Sequence, residues 1–287
     1  MSRRPDVAAA EASEYRVETS SASLFAIELG HGPPILFLHG VTASAFIWPP
    51  VMDRLAQRYR TVAIDQRGHG RSSTGRDARF DAAACAEDVI GVAAALRAGP
   101  VLLVGHSLGA RNAIAAGARR PDLIAGVIAI DFTPFIDPAA FDALDARVAR
   151  GARTFADAGE VVAYLAERYP RLPPDAVARR AQHGYAPDAA GRLRPLADAG
   201  AMRATCAGLR ADLAPDLSGL AGPALLVRGA DSAFVSAAAF DAARALRPDL
   251  PAIVVAGADH YVPEEQPGRV AEIIGEFGAE AFEGSSS

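Results

Sequence analysis

The chain contains no lysine: all 29 of its basic side chains are arginine. That absence removes Schiff-base chemistry on a lysine amine, the phosphate-binding lysine of a Walker-type loop and a Ser-Lys dyad. Exclusive use of arginine is what a biased genomic base composition produces, and it carries no function in itself. Cysteine is nearly absent as well. Cys85 and Cys206 are too few and too far apart in sequence for a disulfide framework or a zinc site, and both are expected as small core residues. No apolar run is long enough to span a membrane, and Arg3 and Arg4 are not followed by the apolar stretch of a secretory signal. A cytoplasmic location with no membrane partner is the expectation. A net charge of −5 without a basic stripe gives no reason to expect nucleic acid. The 287 residues suffice for one large α/β core carrying an insertion.

What is present is organised around Val101-Leu102-Leu103-Val104-Gly105-His106-Ser107-Leu108-Gly109. Four consecutive apolar residues predict a strand buried on both faces, and good helix formers follow Gly109. A strand that becomes a helix within five residues forces its middle residue into a cramped backbone conformation. Glycines at 105 and 109 allow strand and helix to approach closely. Such a turn lifts the Ser107 hydroxyl off the sheet and aims the first free N–H groups of the helix at it, as an oxyanion requires.

The rest of the chain has the same rhythm. Residues 14–17 and 24–29 predict an antiparallel hairpin. Buried strands are expected at 35–38, 61–64, 101–104, 124–130, 224–227 and 252–255, with helices at 48–59, 80–97, 237–246 and 268–277 between them. Between 133 and 212 no buried strand is visible, only amphipathic segments broken by proline and glycine, which predicts an all-helical insertion. The expected division is a core of residues 1–132 and 213–287, with the tail disordered from about 283, and a helical cap over 133–212. Repeated buried strands with helical crossovers require a mostly parallel sheet with helices on both faces. In such sheets chemistry gathers at the carboxyl ends of strands. Here those ends carry His39-Gly40, Asp65, Ser107, Asp131, residues 229–232 and residues 257–260.

With His39-Gly40, Asp65-Gln66-Arg67-Gly68-His69-Gly70-Arg71-Ser72, Gly105-His106-Ser107-Leu108-Gly109 and Gly257-Ala258-Asp259-His260 in that order, the chain resembles the α/β-hydrolase family over nearly all of residues 15–282. The resemblance implies Ser107 as nucleophile, His260 as general base, an oxyanion hole from the Val41 and Leu108 N–H groups, and a cap over the site. His39, His69 and His106 are then expected as hydrogen-bonded structural residues. The segments Ala129-Ile130-Asp131-Phe132-Thr133-Pro134, Ala143-Leu144-Asp145-Ala146-Arg147-Val148 and Ala163-Tyr164-Leu165-Ala166-Glu167-Arg168-Tyr169-Pro170 resemble a narrower group, hydrolases of bacterial vitamin B6 degradation that cleave an enamide carrying two carboxylates. That likeness implies release of acetate, ammonia, carbon dioxide and succinate semialdehyde, without cofactor or metal.

The triad acid is open between two residues. Most of the family place it at the third residue after Gly229, which here is Ser232, and Asp231 falls one residue early. Some relatives place it one strand earlier, where Asp131 stands, and this placement is favoured. Asp65 resembles a structural turn held by arginine. A dicarboxylate substrate needs cationic partners, and planar guanidinium suits carboxylate. Arg147 and Arg168 are the candidates, with Tyr261 as a further contact. An esterase, lactonase or C–C bond hydrolase for another carboxylated metabolite is the alternative enzyme, and a non-catalytic small-ligand receptor the alternative of another class. A homodimer is left open.

Overall fold

The computed structural model describes residues 12–284. In chain order the strands are β1 Ser13–Glu18, β2 Ser23–Leu29, β3 Pro34–Leu38, β4 Arg60–Ile64, β5 Val101–His106, β6 Ile124–Ile130, β7 Tyr185–Pro187, β8 Leu193–Pro195, β9 Ala224–Gly229 and β10 Ala252–Val255. The helices are α1 Pro49–Leu55, α2 Ala82–Leu96, α3 Leu108–Arg119, α4 Pro138–Gly151, α5 Ala158–Arg168, α6 Pro174–His183, α7 Ala199–Gly208, α8 Ala214–Ser218, α9 Ala237–Leu246, α10 Val262–Glu265 and α11 Pro267–Gly284.

Eight strands form one sheet in the order β1-β2-β4-β3-β5-β6-β9-β10. Only β1–β2 and β2–β4 pair antiparallel, so the α/β-hydrolase expectation of a mostly parallel sheet holds. The central strands β3, β5 and β6 are buried along their whole length because both faces are covered. Leu36, Leu38 and Leu103 join the side packed by α2, α3 and α9, whereas Ile35, Phe37, Leu102 and Val104 join the side packed by α1 and α11. From β3 the sheet grows toward β4 on one side and β5 on the other. The loops leaving the carboxyl ends of β3 and β5 therefore flank a crevice, and Ser107 stands there.

The insertion between β6 and β9 departs from the all-helical expectation. It contains α4–α7 but also the hairpin β7–β8, whose strands are three residues long and too short to show a period of two. The Asp188 carboxylate accepts the N–H groups of Ala190 and Arg192, and Gly191 takes a positive φ of 77°, which closes the turn. Helices α5 and α6 pack around a small core of their own that includes Phe155, Val161, Leu165 and Val177, whereas Phe141 of α4 and Met202 of α7 extend the main core.

A second correction concerns the end of the chain. The expected disorder from about 283 does not hold at Glu283 and Gly284, because α11 continues to Gly284. Ala281 is buried there and Phe282 packs against the face formed with α1. Residues 285–287, and residues 1–11 where a leader was considered, lie outside the described residues. Among the described residues no helix is long and apolar enough to cross a membrane. Cys85 and Cys206 are free and buried.

Candidate active site

Ser107 sits between β5 and α3 with φ 53° and ψ −114°, outside the regions open to L-residues without strain. A serine at a helix N-cap ordinarily bonds back to the first turn. Here it makes no such bond, so this backbone leaves the hydroxyl free of capping. The turn is possible only with glycine on both sides. A Cβ at Gly105 would lie 2.2 Å from the Gly109 carbonyl oxygen, and one at Gly109 would lie 2.1 Å from that of Leu38. Gly105→Ala should therefore destabilise the protein by about 3 kcal/mol or more, read as a lower denaturant midpoint. An unchanged midpoint would mean that the turn relaxes freely. Leu108 is the first residue of α3, so no carbonyl within the helix accepts its N–H. Val41 lies just beyond β3, on the wall of the chamber that also holds Ser107.

The two candidate acids stand in different surroundings. His260 Nδ1 meets Asp131 Oδ2 at 2.7 Å, whereas Asp231 is half exposed and pairs with Arg171 at 2.8 Å. Asp131 follows β6 with φ 51° and is fully buried. Its Oδ1 accepts the Gly229 N–H at 2.9 Å, and its Oδ2 also accepts the Ser232 hydroxyl at 2.5 Å. Burial favours the neutral imidazole of His260, and the Arg147 charge acts in the same direction. Burial also pushes the Asp131 carboxyl up, opposed by the Ser232 hydroxyl and the Gly229 N–H. An Asp131 carboxylate on Nδ1–H leaves Nε2 unprotonated, the tautomer a base needs.

The other three histidines near the site each make a hydrogen bond within the fold. His39 Nδ1 donates to the Gly40 carbonyl and its Nε2 accepts the Gln66 N–H; His69 Nδ1 donates to the Arg67 carbonyl. His106 Nε2 donates to the His260 carbonyl at 2.7 Å, bracing the loop that carries the base. Burial pushes all three rings toward the neutral form. Asp65 accepts the backbone N–H groups of Ala45 and Arg71, so the turn is held by an arginine backbone and not its guanidinium.

The chamber holding Ser107 is lined also by Val41, Ala43, Leu144, Arg147, Arg180, His260 and Tyr261. A larger space adjoins it through Ala43 and Arg180, with Arg168, Tyr169 and Tyr185 on its walls. Arg147 and Tyr261 thus share the chamber with Ser107, and Arg168 faces the neighbouring one. Arg147 makes no ion pair among the described residues, and its buried Nε has no partner. Arg168 donates to the Tyr164 and Tyr169 hydroxyls and to the Arg147 carbonyl, again without a carboxylate.

Two residues of this cluster are not among the contacts expected from the sequence. Arg180 is buried, pairs two-point with Glu264 and lies over the Tyr169 ring at 4.6 Å. Its spacing from the buried Ala176 and Val177 put it on the inward face of α6, a usable signal. Tyr169 is packed edge-on to Tyr261, with centroids 4.9 Å apart. Burial raises its phenol, but Arg180, Arg168 and Arg147 outweigh that and bring it down to about 8. Among the described residues no group of three or more His, Cys, Asp or Glu side chains could hold a metal ion.

Residues 35–273 match the alpha/beta hydrolase family. The chain is 47% identical over 276 residues to 2-(acetamidomethylene)succinate hydrolase of Mesorhizobium japonicum, covering 95% of this chain and 99% of that one. It is similar to the crystal structure of E-2-(acetamidomethylene)succinate hydrolase, with TM-score 0.90 and 47% identity over 93% of this chain and 99% of that one. The (E)-2-((N-methylformamido)methylene)succinate hydrolase of Acinetobacter baylyi is 33% identical over 101 residues, 34% of this chain and 36% of that one.

Proposed function

The chain belongs to the alpha/beta hydrolase family, and from that premise we propose that it hydrolyses the amide bond of (E)-2-(acetamidomethylene)succinate, a step of vitamin B6 degradation. Ser107 attacks the acetyl carbonyl while His260 Nε2 takes its proton. Asp131 holds the imidazole and stabilises the imidazolium that forms. The N–H groups of Val41 and Leu108 receive the oxyanion. His260 returns the proton to the departing enamine nitrogen, then activates the water that releases acetate from the acyl-serine. The freed enamine hydrolyses to ammonia and an aldehyde, whose carboxylate β to the carbonyl leaves as carbon dioxide, giving succinate semialdehyde. Every step uses side chains and water. Residues 133–212 act as the cap over the core of residues 1–132 and 213–287, and the protein works in the cytoplasm.

The observation that carries the choice of substrate is the pair Arg147 and Arg168, which reach no carboxylate among the described residues. Each guanidinium is partly withdrawn from water without a counter-ion, and the place of Arg147 beside the nucleophile calls for an anionic substrate. Identity of 47% across nearly the whole of both chains supports the same substrate. Arg147 is proposed to grip one carboxylate with Tyr261 beside it, and Arg168 the other through the adjoining chamber.

Deleting one substrate carboxylate leaves a guanidinium unpaired, a loss of roughly 2–5 kcal/mol. The diacid should therefore be preferred over its monoamide by at least about thirtyfold in kcat/KM, since each 1.4 kcal/mol is tenfold. Arg147→Met should remove most of that preference and Arg168→Met a smaller part, because Arg147 shares the chamber with Ser107. Equal kcat/KM for diacid and monoamide in the wild-type protein would overturn the dicarboxylate reading, and an esterase or lactonase would take its place. Failure of a fluorophosphonate to label Ser107 would point to a non-catalytic receptor.

A further inference from the structure

Ser232 closes the turn that leaves β9, its N–H bonded to the Gly229 carbonyl at 3.1 Å. Its hydroxyl is buried and has one proton to give. It accepts the Val235 N–H at 3.0 Å and donates to Asp131 Oδ2 at 2.5 Å. That oxygen is the one facing His260 Nδ1. The other, Oδ1, is fixed by the Gly229 N–H. The Asp131 carboxylate is thus clamped from β9 at both oxygens, and only one of the two clamps is a side chain.

Resting on the assignment of Ser107, His260 and Asp131 above, we propose that Ser232 is a positioning residue of the hydrolysis: it fixes the rotation of the Asp131 carboxylate so that Oδ2 meets the imidazole. Without it, Oδ2 is held only by the ring that it is meant to orient. A hydroxyl donated to a carboxylate also favours its ionised form. The groups facing Asp131 are His260 from the loop after β10, His106 at the end of β5, and Arg228, the Gly229 N–H and Ser232 from β9 and its turn. Burial opposes the charge, and the Ser232 hydroxyl, the Gly229 N–H, His106 and Arg228 favour the carboxylate, with the Ser232 hydrogen bond first among them. Loss of the Ser232 hydroxyl therefore raises the pKa of Asp131. Activity, which needs that group ionised, then fails at higher pH as the solution is acidified.

The test uses the full-length protein and a small neutral acetyl ester, so that it does not depend on the natural substrate. Ser232→Ala should lower kcat by about tenfold or more, the scale of a hydrogen bond to a charged group, and leave KM within about twofold. The acid limb of kcat should move up by about one pH unit. Ser232→Thr, which keeps the hydroxyl, should restore most of the rate. In an Asp131→Asn background, Ser232→Ala should cause no further loss, because the residue acts through the carboxylate. Wild-type kcat with an unmoved acid limb in Ser232→Ala would overturn the proposal. So would a loss that is uniform in pH and repeats in full on Asp131→Asn, which is how a turn loosened at Val235 would behave. If Asp131→Asn alone keeps wild-type activity, the acid assignment falls first and takes this inference with it.

Discussion

Ser107→Ala is expected to lower acyl-ester and enamide hydrolysis by about 10⁴-fold or more while leaving the denaturant midpoint close to that of the wild type. The side chain caps nothing, and its backbone strain comes from the turn and not from its hydroxyl, so the fold loses little with the oxygen. The chemistry loses its nucleophile. His260→Ala should cost a similar factor, and the double variant should be scarcely slower than either single one, because the two act as a unit. A Ser107→Ala protein that keeps more than about a tenth of the wild-type rate would be incompatible with a required serine nucleophile.

The second large effect separates two aspartates. Asp131→Asn preserves shape but presents an amide to His260 Nδ1 and removes the charge that stabilises imidazolium. A loss on the order of 10³–10⁴-fold in kcat is expected. Asp231→Asn removes a half-exposed pair with Arg171, a class of interaction contributing about 1 kcal/mol or less, so its rate should stay within about threefold of wild type. Measuring kcat for both variants on one substrate ranks them directly. The opposite ranking would assign the acid to Asp231.

The Ser107 turn was legible because an apolar run, two glycines and a helix-forming stretch each limit the same five residues. Strands 124–130 and 252–255 were found at their observed ends. The first is buried on both faces and leaves a plain apolar run. The second, though at the sheet edge with Val254 exposed, is a short run of apolar residues that starts just after Pro251 and stops just before Gly257. Asp131 could be favoured because its position at a strand end is local information. What escaped is pairing between distant segments. Arg180 and Glu264 lie 84 residues apart, and nothing in either neighbourhood announces the other. Ser232 was read as a gap where an acid usually stands; its bond to Asp131 spans 101 residues and appears only when β6 and β9 lie side by side. The β7–β8 hairpin escaped for the opposite reason, its turn chemistry being visible and its strands too short to register.

The central claim is tested most directly by supplying (E)-2-(acetamidomethylene)succinate to the purified protein and following acetate and succinate semialdehyde together. The account predicts equimolar release of both, at a kcat/KM at least about thirtyfold above that of the monoamide, and its loss in Ser107→Ala. Turnover of simple acetyl esters with no acetate released from the diacid enamide would contradict it.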